Sequence, residues 1–371
     1  MKGDSRMSWK EKKGFKWLVM AILVLLLFYL LSLNRSWFQP IGVVLNAVFF
    51  PFAVTGVLYY LFRPLVEWLE RRKTPRSIAV ILVFLVIGLS LAGIIMTAGP
   101  FFQKQFASFV AQVPEMVEFV ADGIESLRNG QEALAPPIRD AIPNLNHEIG
   151  SEWNRYAGSI AGSMLRVFNW MSNALFVLGL VPFILFYALK DGDKLIPKLI
   201  DLAPTSYREH VPPLLKDLDD TLSSFIRGKA VISLVVGILL LAGYSIIGLE
   251  YALVLAVIGM LANIVPFFGP VIGAAPAVLV ALIQDPVKAL YVILVTIIIQ
   301  QIEGNFISPQ IMGKTMDIHP VTVIVLIIAA GSLSGLIGIL IVVPVYAVVK
   351  VLIKHGRRIF YAHKHHHIHP Q

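Results

Sequence analysis

A chain of 371 residues that is 57% hydrophobic and only 15% charged is too apolar for ordinary water-soluble domains, which run about 45–50% apolar and ~25% charged. The mean hydropathy of +0.76 points the same way. The net charge of +8 would suit a nucleic-acid partner, but the Lys and Arg stand in gaps beside apolar runs rather than in an aromatic-studded polar patch, and the lack of cysteine excludes disulfides, thiolate chemistry and Cys-type zinc sites.

A hydrocarbon core of about 30 Å needs about 20 helical residues, and apolar runs of that order recur from end to end. The first, 17–33, follows Lys10, Lys12, Lys13 and Lys16 in the manner of a signal peptide. No small-x-small cleavage site follows and a second run begins at Ile41, so it is read as an uncleaved span. Further spans are expected at 41–62, 78–99, 165–189 and 229–248, with 251–283, 287–302 and 319–350 harder to divide. The expected fold is an all-α polytopic membrane protein of about eight spans, its partner the lipid bilayer.

Basic residues set the expected orientation. Lys and Arg crowd the N-terminal tail, the gap holding Arg63, Arg71, Arg72, Lys73 and Arg76, and the C-terminus with Lys350, Lys354, Arg357, Arg358 and Lys364. Only Arg35 stands between the first two runs. Both termini and the 63–77 gap are therefore placed in the cytoplasm. The domains follow: 1–99, tail and three spans; 100–164, a polar insertion on the outer side; 165–352, a C-terminal membrane domain with a cytoplasmic linker at 190–228; and 353–371, a basic His-rich tail.

Within the insertion, Phe102, Phe106, Phe109, Val113, Met116, Val117, Val120, Ile124 and Leu127 recur at spacings of three and four, one apolar helix face. That face suits packing over the bundle or gating a substrate path; Pro136, Pro137 and Pro143 end the pattern. In the linker, Asp217, Asp219 and Asp220 read as a solvated helix face, since Asp-Leu-Asp-Asp lacks the Gly turn and further oxygens of a calcium loop.

The stretch 251–283 is too long for one straight span and is interrupted at Asn263-Ile-Val-Pro266-Phe267-Phe268-Gly269-Pro270. Each proline removes an amide donor and crowds the carbonyl a turn earlier. Freed carbonyls in hydrocarbon need partners, from protein or from a wet cavity. The stretch 319–350 repeats the theme with Gly331, Gly335, Gly338 and Pro344. Paired broken helices of this kind expose carbonyls and helix ends to a substrate in transporters; kinked helices packed through small residues are the other reading.

Between them lies the most polar part of this half, Gln300-Gln301-Ile302-Glu303-Gly304-Asn305, followed by Pro309 and Gly313. Gln300 and Glu303 share a helix face. An ionisable group inside a span costs roughly 2.5–3.5 kcal/mol, so it usually meets a cavity or a partner. Glu250 and the Asp285-Pro286 pair read as solvated turns, and the histidines from His363 to His369 as an adventitious metal binder. No structured metal site, cofactor site, catalytic triad or phosphate loop is recognised, so an enzyme is not expected.

With Asn263, Pro266-Phe-Phe-Gly269-Pro270, Gln300 to Glu303, Asn305, Pro309, Gly313, His319-Pro320 and Gly331 to Pro344, the chain resembles the autoinducer-2 exporter family of bacterial membrane proteins. The resemblance covers nearly the whole chain. It implies a multi-pass, oligomeric plasma-membrane protein and leaves the substrate open, since the family is named for export of a small hydroxyl-rich signal while some members are described as sodium(lithium)/proton antiporters.

Three functions are therefore carried forward. In the first, a gradient drives a small polar solute past Asn263, Gln300 and Gln301, outward as the resemblance implies, with Pro266, Phe267, Gly269 and Pro270 shaping the path. In the second, Glu303 exchanges protons for Na+ or Li+. In the third, the protein is a scaffold whose 101–160 helices bind partners. Pro309, Gly313, Gly331, Gly335, Gly338 and Pro344 are the expected helix breaks and gates.

Overall fold

The computed structural model describes residues 13–33, 35–129, 179–205, 208–312 and 319–366, and every regular element among them is helical. The chain divides into two compact units, Met1–Val54 and Thr55–Gln371. The first holds α1 (Lys13–Leu33) and the start of α2 (Arg35–Arg71). Leu18, Leu23, Leu25 and Leu27 on α1 are exposed, as a lipid-facing helix requires.

The second unit carries two packed clusters that matter here. In one, Val66 of α2 meets Ala79, Val80 and Val83 of α3 (Arg76–Thr97) and Leu185 and Leu189 of a helix over 179–191, α5. In the other, beyond the short α6 (Leu195–Leu202), α4 (Gly99–Asn129) joins α7 (Val211–Ile247), α8 (Ala252–Ala262), α9 (Phe268–Gln284) and α10 (Pro286–Ile302). Phe109, Val113 and Met116 are buried there, so this part of the apolar face expected in the insertion packs on the bundle, while Phe106 is exposed and the side chains of Val117, Val120, Ile124 and Leu127 lie outside those described. Phe109 meets the Tyr251 ring edge-on at 6.0 Å. Pro136, Pro137 and Pro143 of the insertion and residues 165–178 of the fourth expected span lie outside the described residues.

Among the described residues, five helices are long and apolar enough to cross a membrane: Val48–Arg71, Arg76–Thr97, Val211–Ile247, Pro286–Met312 and Gly338–Arg358. Leu18–Leu27, Ala252–Ala262, Phe268–Gln284 and Val321–Leu333 are shorter apolar helices. At ~1.5 Å per residue α8 reaches only about 16 Å, half a hydrocarbon core.

The first broken stretch is a helical hairpin. A Cβ placed on Gly273 would lie 2.8 Å from Gly259 Cα, and one on Gly269 would lie 2.1 Å from the Ala262 carbonyl oxygen, so α9 runs back antiparallel along α8. α10 then follows after Asp285, which caps it by accepting a hydrogen bond from Val287 N at 2.8 Å. Asp285 is thus a cap in the expected turn. Lys288 donates to the Gly248 carbonyl at 3.1 Å, tying the α7–α8 turn to the α9–α10 turn at one pole of the bundle.

After α10 come a π-helical turn (Glu303–Ile307) and the short α11 (Ser308–Met312). The last element, α12 (Pro320–His366), breaks at Gly335, whose φ of 58° and ψ of −141° are not helical. A Cβ on Gly331 would lie 3.2 Å from the Ile339 side chain, eight residues on. A straight helix would separate those positions by about 12 Å. The chain folds back there too, and α12 then runs past the expected end at 350.

The aspartates of the linker differ from expectation. Asp219 pairs with Arg63 of α2 at 2.8 Å, and Asp217 meets the buried His355 of α12 at 3.0 Å. They tie α7 to its neighbours, and only Asp220 of the three is exposed. Arg76 similarly joins Asp193 and the Leu189 carbonyl.

Candidate functional site

The pole opposite Gly248 and Lys288 holds three polar side chains from three elements. Lys229 comes from α7, Asn263 from the C-terminal end of α8, and Glu303 from the start of the π-helical turn. Lys229 Nζ stands 3.4 Å from Glu303 Oε1, with the two side chains only 12% and 10% exposed. Asn263 is 1% exposed, and its Nδ2 donates to the same Oε1 at 3.4 Å. Glu303 Oε2 and Asn263 Oδ1 are buried and accept no hydrogen bond from the described residues. Buried carboxylates and amides are ordinarily saturated, because an unmade bond costs about 1–3 kcal/mol.

Local sequence builds the turn that holds Asn263. Helix α8 cannot continue into Pro266, which has no amide to donate. Instead Ile264 N donates to the Leu261 carbonyl at 3.2 Å, Val265 N to Ala262 at 2.9 Å and Gly269 N to Val265 at 3.0 Å. Phe268 N donates to the Pro266 carbonyl at 2.7 Å, closing a three-residue turn centred on Phe267 with φ 63° and ψ −47°. That γ-turn is rare and strained for a residue with a Cβ. Gly269 is demanded by contact, since any Cβ there would strike the Ala262 carbonyl. The carbonyls of Leu261, Ala262, Val265 and Pro266 are thereby occupied.

The second wall is set by the π turn. An extra residue in a helical turn shifts the register of side chains around it, and such turns gather at functional sites. Asn305 is exposed and donates to Gln301 Oε1 at 3.1 Å.

The sequence-predicted residues thus separate into groups. Asn263 and Glu303 come together. Gln300, Gln301 and Pro270 line a different space, a mostly apolar cavity of about 730 Å³ between α9 and α10 that Thr296 also borders. Pro266 is half-buried, while Phe267, Asn305 and Pro309 are exposed. Gly331 and Gly335 form the second fold-back, with Gly338 buried beyond it and Pro344 inside the helix that follows. Gly313 lies outside the described residues. Lys229 is the residue sequence reasoning missed. Its signal was a cation opening the apolar run 229–248, two residues after Arg227, a place easily assigned to the edge of a span.

A family model described as "AI-2E family transporter" matches residues 18–358. The chain belongs to the AI-2E transporter family. It is 38% identical over 344 residues to a Bacillus subtilis protein named "Putative transport protein YueF", with 92% of each chain covered. A second B. subtilis relative, "Putative transport protein YrrI", is 29% identical over 343 residues, covering 92% of this chain and 96% of the relative. "Putative transport protein MT0215" of Mycobacterium tuberculosis is 27% identical over 340 residues, covering 91% and 88%. Family membership and the apolar helices make this a multi-pass membrane protein of a transporter family. The polar trio of Lys229, Asn263 and Glu303 lies within the matched region.

Proposed function

We propose that this AI-2E family member moves a small polar solute across the membrane down a coupled gradient, outward in the sense the family's name implies, with Glu303 as the coupling group. The observation that carries the reading is the pairing of Lys229 with Glu303 at 3.4 Å beside two unpartnered acceptors, Glu303 Oε2 and Asn263 Oδ1. A carboxylate with one oxygen engaged and one free can take a proton without first losing all its partners. Protonation then weakens its hold on Lys229, and the three elements bearing Lys229, Asn263 and Glu303 become free to part. The strained turn at Phe267, three residues from Pro270, lies on the loop connecting Asn263 to the groove that Gln300 and Gln301 line. A hydroxyl-bearing solute suits those amides, which offer donors and acceptors without charge.

Sodium/proton antiport needs a cation to stand at the carboxylate, and Lys229 already supplies one; that is why solute transport is placed first. A scaffold role gives no account of a buried, under-bonded ion pair. The test is reconstitution in liposomes holding a pH-sensitive dye, with a panel of small polyols added outside. Polyol-evoked proton movement in the wild type, lost in Glu303→Gln, supports the reading. Sodium-evoked proton movement with no response to any polyol supports antiport instead, and no flux of either kind returns the scaffold.

A further inference from the structure

Lys229 does more than neutralise Glu303. We infer that it is a tethered cation that bars free monovalent metal ions from the site, and so sets the specificity of the chain for protons and uncharged solute. This rests on Glu303 being the coupling group, as proposed above.

The site has what a small hard cation seeks. Glu303 Oε2 and Asn263 Oδ1 are oxygen ligands, buried and without partners among the described residues, and Asn263 Nδ2 holds the two side chains together by its 3.4 Å bond to Glu303 Oε1. Oxygen ligands with a carboxylate among them are the ordinary environment of hard cations. An under-bonded carboxylate enclosed by protein would draw in sodium or lithium from any solution that reached it. What opposes this is the ammonium group 3.4 Å from Oε1. Two unit positive charges a few ångströms apart in a poorly screened interior repel strongly enough to weaken binding by roughly a hundredfold or more. A proton escapes that penalty, because it bonds to the carboxylate and leaves a neutral acid beside Lys229. A neutral hydroxyl escapes it as well, and can donate to Oε2 or Oδ1.

The position of Lys229 in the fold supports the assignment. It is fixed on the long helix α7, while Asn263 and Glu303 stand at the ends of α8 and α10, next to a γ-turn and a π turn. The counter-charge is therefore carried by the continuous element and the oxygens by the interrupted ones. The long four-carbon stem of Lys lets the ammonium follow Oε1 or withdraw.

The test measures sodium binding at equilibrium, without transport. Purified full-length protein is titrated with NaCl or LiCl against choline chloride at constant ionic strength, and the thermal unfolding midpoint is followed. The wild type is expected to respond alike to the three salts. Lys229→Ala and Lys229→Gln are expected to gain a saturable stabilisation by sodium and lithium, half-complete at a concentration at least tenfold below any response of the wild type. Methylammonium, a free substitute for the lost side chain, should stabilise them too. The double variant Lys229→Ala with Glu303→Gln should be insensitive again, because the carboxylate is gone. Should Lys229→Ala fail to fold in choline, sodium is expected to restore it.

A wild type that binds sodium as tightly as Lys229→Ala overturns the inference, and so do single variants that ignore sodium or are not rescued by it. A merely structural Lys229 predicts equal instability in every salt. The flux assay and this titration fail separately. Loss of the solute reading leaves sodium exclusion standing, whereas a sodium-binding wild type would leave Glu303 a coupling group of the antiport kind.

Discussion

Two of the ion pairs that join α7 to its neighbours are built differently. Arg63 donates from Nε to Glu67 at 2.6 Å and from one terminal nitrogen to both oxygens of Asp219, at 2.8 and 3.0 Å. Its groups are half-buried, with water at hand for whatever lone pairs remain. Lys229 and Glu303 are more deeply enclosed, stand farther apart and leave Oε2 bare. The first arrangement is close-fitting and tolerant of loss. The second is loose where looseness costs most, because a buried charge gains stability only when geometry and remaining hydrogen bonds are good. Selection for stability alone would have tightened it or replaced it by apolar side chains. Its looseness fits a pair that has to open.

The contrast can be broken by exchanging what each pair loses. Glu303→Gln should lower solute-driven proton flux per folded molecule by at least an order of magnitude, and it should lower the unfolding midpoint too, because the buried Lys229 loses its counter-charge. Asp219→Asn should retain the flux per folded molecule and cost only about 1 kcal/mol of stability. Next in size, Lys229→Ala in choline should cost about 3–5 kcal/mol by leaving a buried carboxylate uncompensated. Arg63→Ala should cost about 1 kcal/mol, since water screens what it leaves behind. Denaturant titration of the two side by side reads the difference.

The hairpin tip offers two smaller tests. Gly269→Ala should cost about 1–3 kcal/mol, the usual range for overpacking, because its Cβ meets a backbone carbonyl that cannot move aside. Phe267→Gly should raise stability by about 1 kcal/mol, since glycine adopts positive φ freely and the Phe267 ring is exposed and loses little burial. If the strain at Phe267 helps the hairpin open, flux in that variant falls although the protein is more stable.

The breaks in the fold were legible because Pro and Gly act locally: Pro266 to Pro270 foretold the α8–α9 turn, and Gly331 to Gly335 the second fold-back. The face Phe109–Val113–Met116 was legible because helical periodicity is local too. Asn263 and Glu303 could be named from their polarity within apolar runs. Their meeting could not, as 40 residues separate them. Lys229 is 74 residues from its partner and stands at a run's edge, where snorkelling to the interface is the ordinary expectation. The expectation of exposed carbonyls followed from the prolines, but the turn bonds that occupy those oxygens depend on backbone angles, and a φ of 63° at a phenylalanine has no signature in composition. The aspartates at 217 and 219 looked like surface because their partners come from α12 and α2, far along the chain.

Infrared difference spectroscopy of the reconstituted protein, taken between alkaline and acidic buffer and again on adding a transported solute, follows the protonation of Glu303 itself. A protonated-carboxyl band that appears on acidification, changes when solute is added and disappears in Glu303→Gln is the expected outcome. A band that survives in Glu303→Gln, or a spectrum in which that carboxyl stays ionised throughout while transport proceeds, would contradict the assignment of Glu303 as the coupling group.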